Sequence, residues 1–304
     1  MQTKIIADTL AKLKARVVDY EDVDPALWAN KEFVLAVAQW NGSVALQYVN
    51  TKLITNADYQ IIALEAVRRY GEALYRVNPE LVTDYQTIAL EAVKCYGEAL
   101  QYVNTRFVTD YQAIALEAIK RHIAALRHVD IKSVTDYQTI ALEAVRLYGE
   151  SLQYVKPEFT TDYQTIALEA VKRYGAALQH VNTQFVTDYQ TIALEAVKRY
   201  GAALQHVNTQ FVTDYQTIAL EAVKEYGADL QYVNIKLVTD YQAIVLEAIK
   251  QDWRAFQYAD VSLKKDGKFM LQAIKQNRDM LQFGDDSLKD DPDFWREARS
   301  IIVS

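Results

Sequence analysis

Tyrosine and histidine alternate along this chain at a fixed interval, and a polar aromatic side chain offered so regularly is a candidate contact. Tyr102, His128, Tyr154, His180, His206, Tyr232 and Tyr258 stand 26 residues apart, with Tyr48 ahead of them. Such rings suit a surface that binds another protein, because tyrosine is enriched at the energetic centres of interfaces. The same column would also arise if the rings only packed between neighbouring elements. Imidazoles can hold metal instead, but equivalent residues of adjacent repeats are expected about 8–10 Å apart. Each zinc ligand must come within about 2.1 Å of the ion. His180 and His206 are therefore not expected to share one, and His122 has no cysteine or acidic cluster at ligand spacing.

A second row is basic: Arg68, Arg69, Lys94, Lys120, Arg121, Arg146, Lys172, Arg173, Lys198, Arg199, Lys224 and Lys250. It could track phosphates or an acidic protein. A glutamate three or four residues earlier in each repeat, such as Glu169 before Lys172 and Arg173, makes the row equally a set of helix-surface ion pairs. Those are worth about 0.2–0.5 kcal/mol each.

One repeat is irregular. Ile123 stands where other repeats have Gly, Asp130 where they have Asn, and Ser133 where they have Phe or Leu. Arg121, His122, Arg127 and His128 gather there. Loss of the glycine could straighten or extend the preceding helix, and loss of the plug could bend the array and present a basic patch to a partner; sequence drift tolerated at one joint would give the same changes. The candidate partner-binding set is thus Tyr102, Arg121, His122, Arg127, His128, Tyr154, His180, His206 and Tyr232. Catalytic chemistry finds no comparable set. The sequence has no Gly-rich phosphate loop, no His-Glu-x-x-His and no Gly-x-Ser-x-Gly. Cys95 has no identifiable base or orienting group. The expectation is a non-enzymatic protein without cofactor or metal.

A repeating unit must position these residues. Residues 162–187 recur unchanged at 188–213, and Asp58, Asp84, Asp110, Asp136, Asp162, Asp188, Asp214 and Asp240 mark successive copies. A period of this size belongs to a solenoid, in which each unit buries its apolar face against its neighbours. In residues 83–108, Thr83 and Gln86 fit a capping box, and Asp84 falls in the first turn, where the helix dipole favours an acid. Tyr85, Ile88, Ala89, Ala92, Val93 and Tyr96 follow at helical spacing, with Leu90 on a second flank. Gly97 is expected to end the helix in a left-handed conformation. A shorter helix then covers about residues 98–103 with Leu100 and Val103 inward. Asn104 caps the linker, and Phe107 or its equivalents (Leu81, Phe159, Phe185, Phe211, Leu237) plug it into the core.

The fold class is therefore all-α: an α-solenoid of about ten repeats, each with one long and one short helix, ended by divergent capping units. At about 10 Å per helix layer the array spans about 90–100 Å. The expected organisation is an N-terminal cap and half repeat over 1–29, the solenoid over 30–291, and a capping tail over 292–304.

A net charge of −7 argues against a general nucleic-acid or anionic-membrane binder. A nucleic-acid-binding array using the basic row, or an enzyme of unrecognised type, are the alternative readings. The single cysteine excludes an internal disulfide. No apolar run of about 18 residues could span a membrane, and no secretory signal peptide is expected from the first residues.

The two ends carry a resemblance. Asn30-Lys31-Glu32-Phe33-Val34-Leu35-Ala36-Val37, Asn41-Gly42 and Leu46-Gln47-Tyr48 form one motif, and Phe269-Met270-Leu271-Gln272-Ala273-Ile274-Lys275-Gln276-Asn277 with Leu281-Gln282-Phe283 form another. Both resemble the tandem "domain of unknown function" repeats of translocated effectors from amoeba- and macrophage-dwelling bacteria. The central repeats depart from that pattern by placing Arg-Tyr-Gly where it has Gln-Asn-Gly. The resemblance implies an effector that leaves the bacterial cytoplasm for the interior of a host cell and binds a host protein there. It implies no catalytic residues.

Overall fold

The computed structural model describes residues 2–288 and 290–303; Met1, Lys289 and Ser304, which fall in the expected end regions, lie outside the described residues. The fold is an all-α repeat solenoid, with no strand among the described residues. Helices α1 (Gln2–Lys14), α2 (Lys31–Ala38), α3 (Gly42–Tyr48) and α4 (Asn56–Arg69) lead into the regular series. That series comprises α5 (Tyr85–Cys95), α6 (Tyr111–Arg121), α7 (Tyr137–Leu147), α8 (Tyr163–Arg173), α9 (Tyr189–Arg199), α10 (Tyr215–Glu225) and α11 (Tyr241–Gln251). Helices α12 (Val261–Lys265), α13 (Gly267–Gln276) and α14 (Pro292–Val303) follow. The chain divides into two compact units, Met1–Leu147 with Tyr154–Thr160, and Tyr148–Gln153 with Thr161–Ser304. Phe33, Tyr59, Ile62, Ile88 and Ile114 anchor the core of the first, and Ile166, Ile192, Ile218, Phe256 and Phe269 that of the second.

Each long helix buries one stripe. In α5 the buried residues are Tyr85, Ile88, Ala89, Ala92 and Val93, the i, i+3, i+4, i+7, i+8 pattern of an amphipathic helix. The stripe ends one residue earlier than the periodicity suggests. Tyr96 leaves helical geometry at φ −143°, ψ 102°, and its ring is 39% exposed.

Gly97 works differently from the expectation. Among the described residues no glycine has a positive φ. The requirement is space: a Cβ at Gly97 would lie 2.6 Å from the carbonyl oxygen of Ala118 and 2.8 Å from Cβ of His122 in the next repeat. The irregular repeat is corrected too. Despite Ile123, α6 keeps the 11 residues of α5 and is followed by the same kind of turn, so the lost glycine neither straightens nor extends it.

The second element of the repeats from α4 onward is a 3-10 helix rather than a short α-helix, here Gly97–Tyr102, whereas α3 is the short α-helix expected. With three residues per turn, Gly97, Leu100 and Val103 fall on one side, and the first two are buried. A further 3-10 turn, Thr105–Phe107, is capped by Asn104, whose side chain accepts from the N–H of Arg106. Phe107 does not plug the core. It is exposed and lies edge-on against Tyr85 with centroids 6.2 Å apart; Phe159, Phe185, Phe211 and Leu237 are exposed as well.

Capping is shifted by one residue from the expected box. Asp84 is the N-cap, its Oδ1 accepting from the N–H of Thr87 at 2.9 Å. Gln86 reaches instead into the following repeat, where Oε1 accepts from the N–H groups of Thr109 at 3.0 Å and Asp110 at 3.2 Å and Nε2 donates to the Asp110 carbonyl. Gln164, Gln190 and Gln216 grip their successors alike in the second unit. Helix α4 has a threonine cap instead, Thr55 accepting from the N–H of Asp58. The tyrosine that opens each helix braces its own repeat: Tyr85 Oη accepts from the N–H of Asn104 at 3.2 Å. Burial pushes these phenols up, that of Tyr137 to about 12.

Candidate functional site

From Tyr102 onward the aromatic column lies on the 3-10 helices. In the first unit Tyr102 is exposed and its ring sits 5.7 Å from that of Tyr75, while His128 and Tyr154 are half-buried. In the second unit His180, His206 and Tyr232 are all half-buried. These rings share a position in the repeat and present only part of their surface. Burial holds His180 below the ordinary imidazole range, partly offset by Glu150 and reinforced by His206. His128 is lowered by burial and by Arg127.

Three of the four candidate residues gathered in the irregular repeat converge on an acid from the preceding one. Arg127 Nη2 is 3.0 Å from Glu98 Oε2. His122 Nδ1 is 3.1 Å from Glu98 Oε1, off the line of a hydrogen bond. His128 Nε2 lies 4.0 Å from the same carboxylate and accepts from Arg127 Nε at 3.0 Å. Arg121 takes no part, turning to Glu117 on its own helix at 3.2 Å. Glu98, only 15% exposed, thus neutralises the cluster. The sequence places Glu98 in an ordinary repeat, so only the stacking of repeats reveals its role.

The basic row is mostly paired where it can be followed. Arg69 meets Glu65 and Lys94 meets Glu91, each at 2.9 Å, and Arg68 reaches Glu91 of the next helix at 2.9 Å. Beside the row runs a set of exposed tyrosines one residue past each helix end: Tyr70, Tyr96, Tyr148, Tyr174, Tyr200 and Tyr226. Between two such ends, a notch of about 330 Å³ is lined by Arg69, Tyr70, Gly71, Glu72, Cys95 and Tyr96.

One buried acid escapes sequence reasoning. Asp229 is 5% exposed in the 3-10 helix Gly227–Tyr232, and its carboxylate occupies the place that a Cβ on Gly201 would take. Burial alone raises its pKa to about 6. The signal lay in the register, since the equivalent positions hold Ala177 and Ala203. Among the described residues no group of three or more His, Cys, Asp or Glu is placed to hold a metal ion, and no helix is long and apolar enough to cross a membrane.

Comparison with known families places this architecture. The family described as "Domain of unknown function (DUF4116)" matches residues 61–107, 137–186, 215–264 and 243–289, more than half of the chain. The chain belongs to that family, as a tandem array of its repeats. No curated protein and no solved structure matches it.

Proposed function

We propose that this chain is a non-enzymatic scaffold that binds a protein partner along consecutive repeats. The observation that carries this reading is the register of exposed side chains. Each of the helices α5–α11 carries a lysine or arginine in its last two positions, followed in most repeats by a solvent-exposed tyrosine. Arginine and tyrosine are the residue types on which binding energy concentrates, and a solenoid multiplies one such contact by its repeat number. The partner is a host protein and the chain an effector delivered from a bacterium, a reading supported by the motifs around Phe33 and Phe269.

The test uses the lysines as reporters, because Lys94, Lys120, Lys172, Lys198, Lys224 and Lys250 each mark a different repeat. The tagged chain is crosslinked in host-cell lysate through its amines and the links are mapped by mass spectrometry. One protein linked to several consecutive lysines is the expected result. Links confined to the terminal helices, or recovery of nucleic acid alone, contradict it.

A further inference from the structure

The two identical repeats differ from those of Tyr70 and Tyr96 in what surrounds their exposed tyrosines. Arg173, Lys198 and Arg199 are exposed and make no ion pair or hydrogen bond among the described residues, unlike Arg69 and Lys94. Lys172 stands 3.8 Å from Glu169. The residue after the glycine, Glu72 and Glu98 in earlier repeats, is here Ala176 and Ala202, as the equivalent residue is Ala124 and Ala228 in two others, so the exposed acid that lines the notch beside Arg69 has no counterpart at that position; the Asp229 carboxylate that stands against Gly201 is buried. Glu169 and Glu195 are the acids left on these two helices, against four cations. Tyr174 and Tyr200 are 46% and 50% exposed.

From this, resting on the scaffold reading, we infer that the ends of α8 and α9 form a docking site for an extended acidic peptide segment. Arg173 and Arg199 take carboxylates of the peptide, and Tyr174 and Tyr200 cover its intervening stems. The repeat sets the spacing of the ligand. Adjacent helices pack about 8–10 Å apart, and a chain in the extended polyproline-II form advances about 3.1 Å per residue and returns a side chain to the same face every third residue, so successive repeats meet every third residue. The preferred sequence carries an acid at every third position. Guanidinium groups suit this recognition because they pair with carboxylates through two parallel hydrogen bonds.

The probe is a fluorescein-labelled twelve-residue peptide with glutamate at every third position and serine and alanine between, read by fluorescence anisotropy on the full chain. Saturable binding is expected, weakened at least about tenfold by the double variant Arg173→Gln, Arg199→Gln, corresponding to a loss of about 1.4 kcal/mol. A peptide of the same composition with its glutamates clustered binds several-fold more weakly. The variant Arg69→Gln, made where the arginine is already paired, leaves binding within about twofold. Circular dichroism confirms that each variant is folded. Absent binding, equal affinity for the double variant, or a tighter complex with twelve deoxythymidines overturns the inference. If the crosslinking experiment captures a protein on consecutive repeats while the double variant binds that protein unchanged, this site fails and the scaffold reading stands.

Discussion

Replacing Asp229 by Ala should stabilise the protein, and by an amount that depends on pH. The carboxylate is 5% exposed, it has no hydrogen-bond or ion-pair partner among the described residues, and its equivalents Ala177 and Ala203 show that the repeat accepts a methyl group there. Burial raises the folded-state pKa from 3.8 to about 6. The folded chain therefore holds a proton that the unfolded chain releases between those values. Stability contributed by that proton is fully present below pH ~4, falls as pH rises through about 6, and is gone above pH ~7. The gap corresponds to ~3 kcal/mol, and relaxation of the 3-10 helix toward water brings the measurable effect to ~1–3 kcal/mol. Urea melts of the wild type and Asp229→Ala at pH 4, 5.5 and 7.5 measure it. The two chains should differ little in their pH 4 midpoint, and the variant should lead increasingly at the higher values. A variant that is less stable at pH 7.5, or a difference that does not change with pH, refutes the argument.

Three further outcomes follow from the repeat geometry. Gln190→Ala removes the acceptor for the N–H groups of Thr213 and Asp214, so amide exchange at those two positions should accelerate, with a stability loss of ~1–2 kcal/mol. Gly175→Ala should destabilise by ~1–3 kcal/mol, because its Cβ would lie 2.6 Å from the Ala196 carbonyl oxygen; a rise in melting temperature would show that chain entropy outweighs the close approach. Tyr189→Phe leaves the N–H of Asn208 without its 3.0 Å acceptor, which should lower the melting midpoint by an amount equivalent to ~1–2 kcal/mol.

The period of 26 and the stripe Tyr85, Ile88, Ala89, Ala92, Val93 made the long helices legible, since only a helix brings those spacings onto one face. The shorter element was harder to read because Leu100 and Val103, three residues apart, fit an α-turn and a 3-10 turn equally. Thr83, Asp84 and Gln86 are all capping types, and their choice depends on the neighbouring repeat, where Gln60 occupies the N–H groups of Thr83 and Asp84. The same limit applies to the candidate site. Arg127 and His122 read as a free basic patch until stacking brings Glu98 against them. Tyr96 reads as core until its helix ends at Cys95. Local pattern reports what one repeat must bury; contacts between repeats decide which charges remain available.

The identity of residues 162–187 and 188–213 offers the most direct test of the scaffold reading. Deleting 188–213 removes one repeat while every junction keeps its native sequence. The affinity of the crosslinked partner for the full and shortened chains is then compared by calorimetry. Binding along consecutive repeats predicts a Kd raised by on the order of tenfold or more, as expected when an interface loses one of its anchor clusters. An unchanged Kd with an intact fold contradicts it.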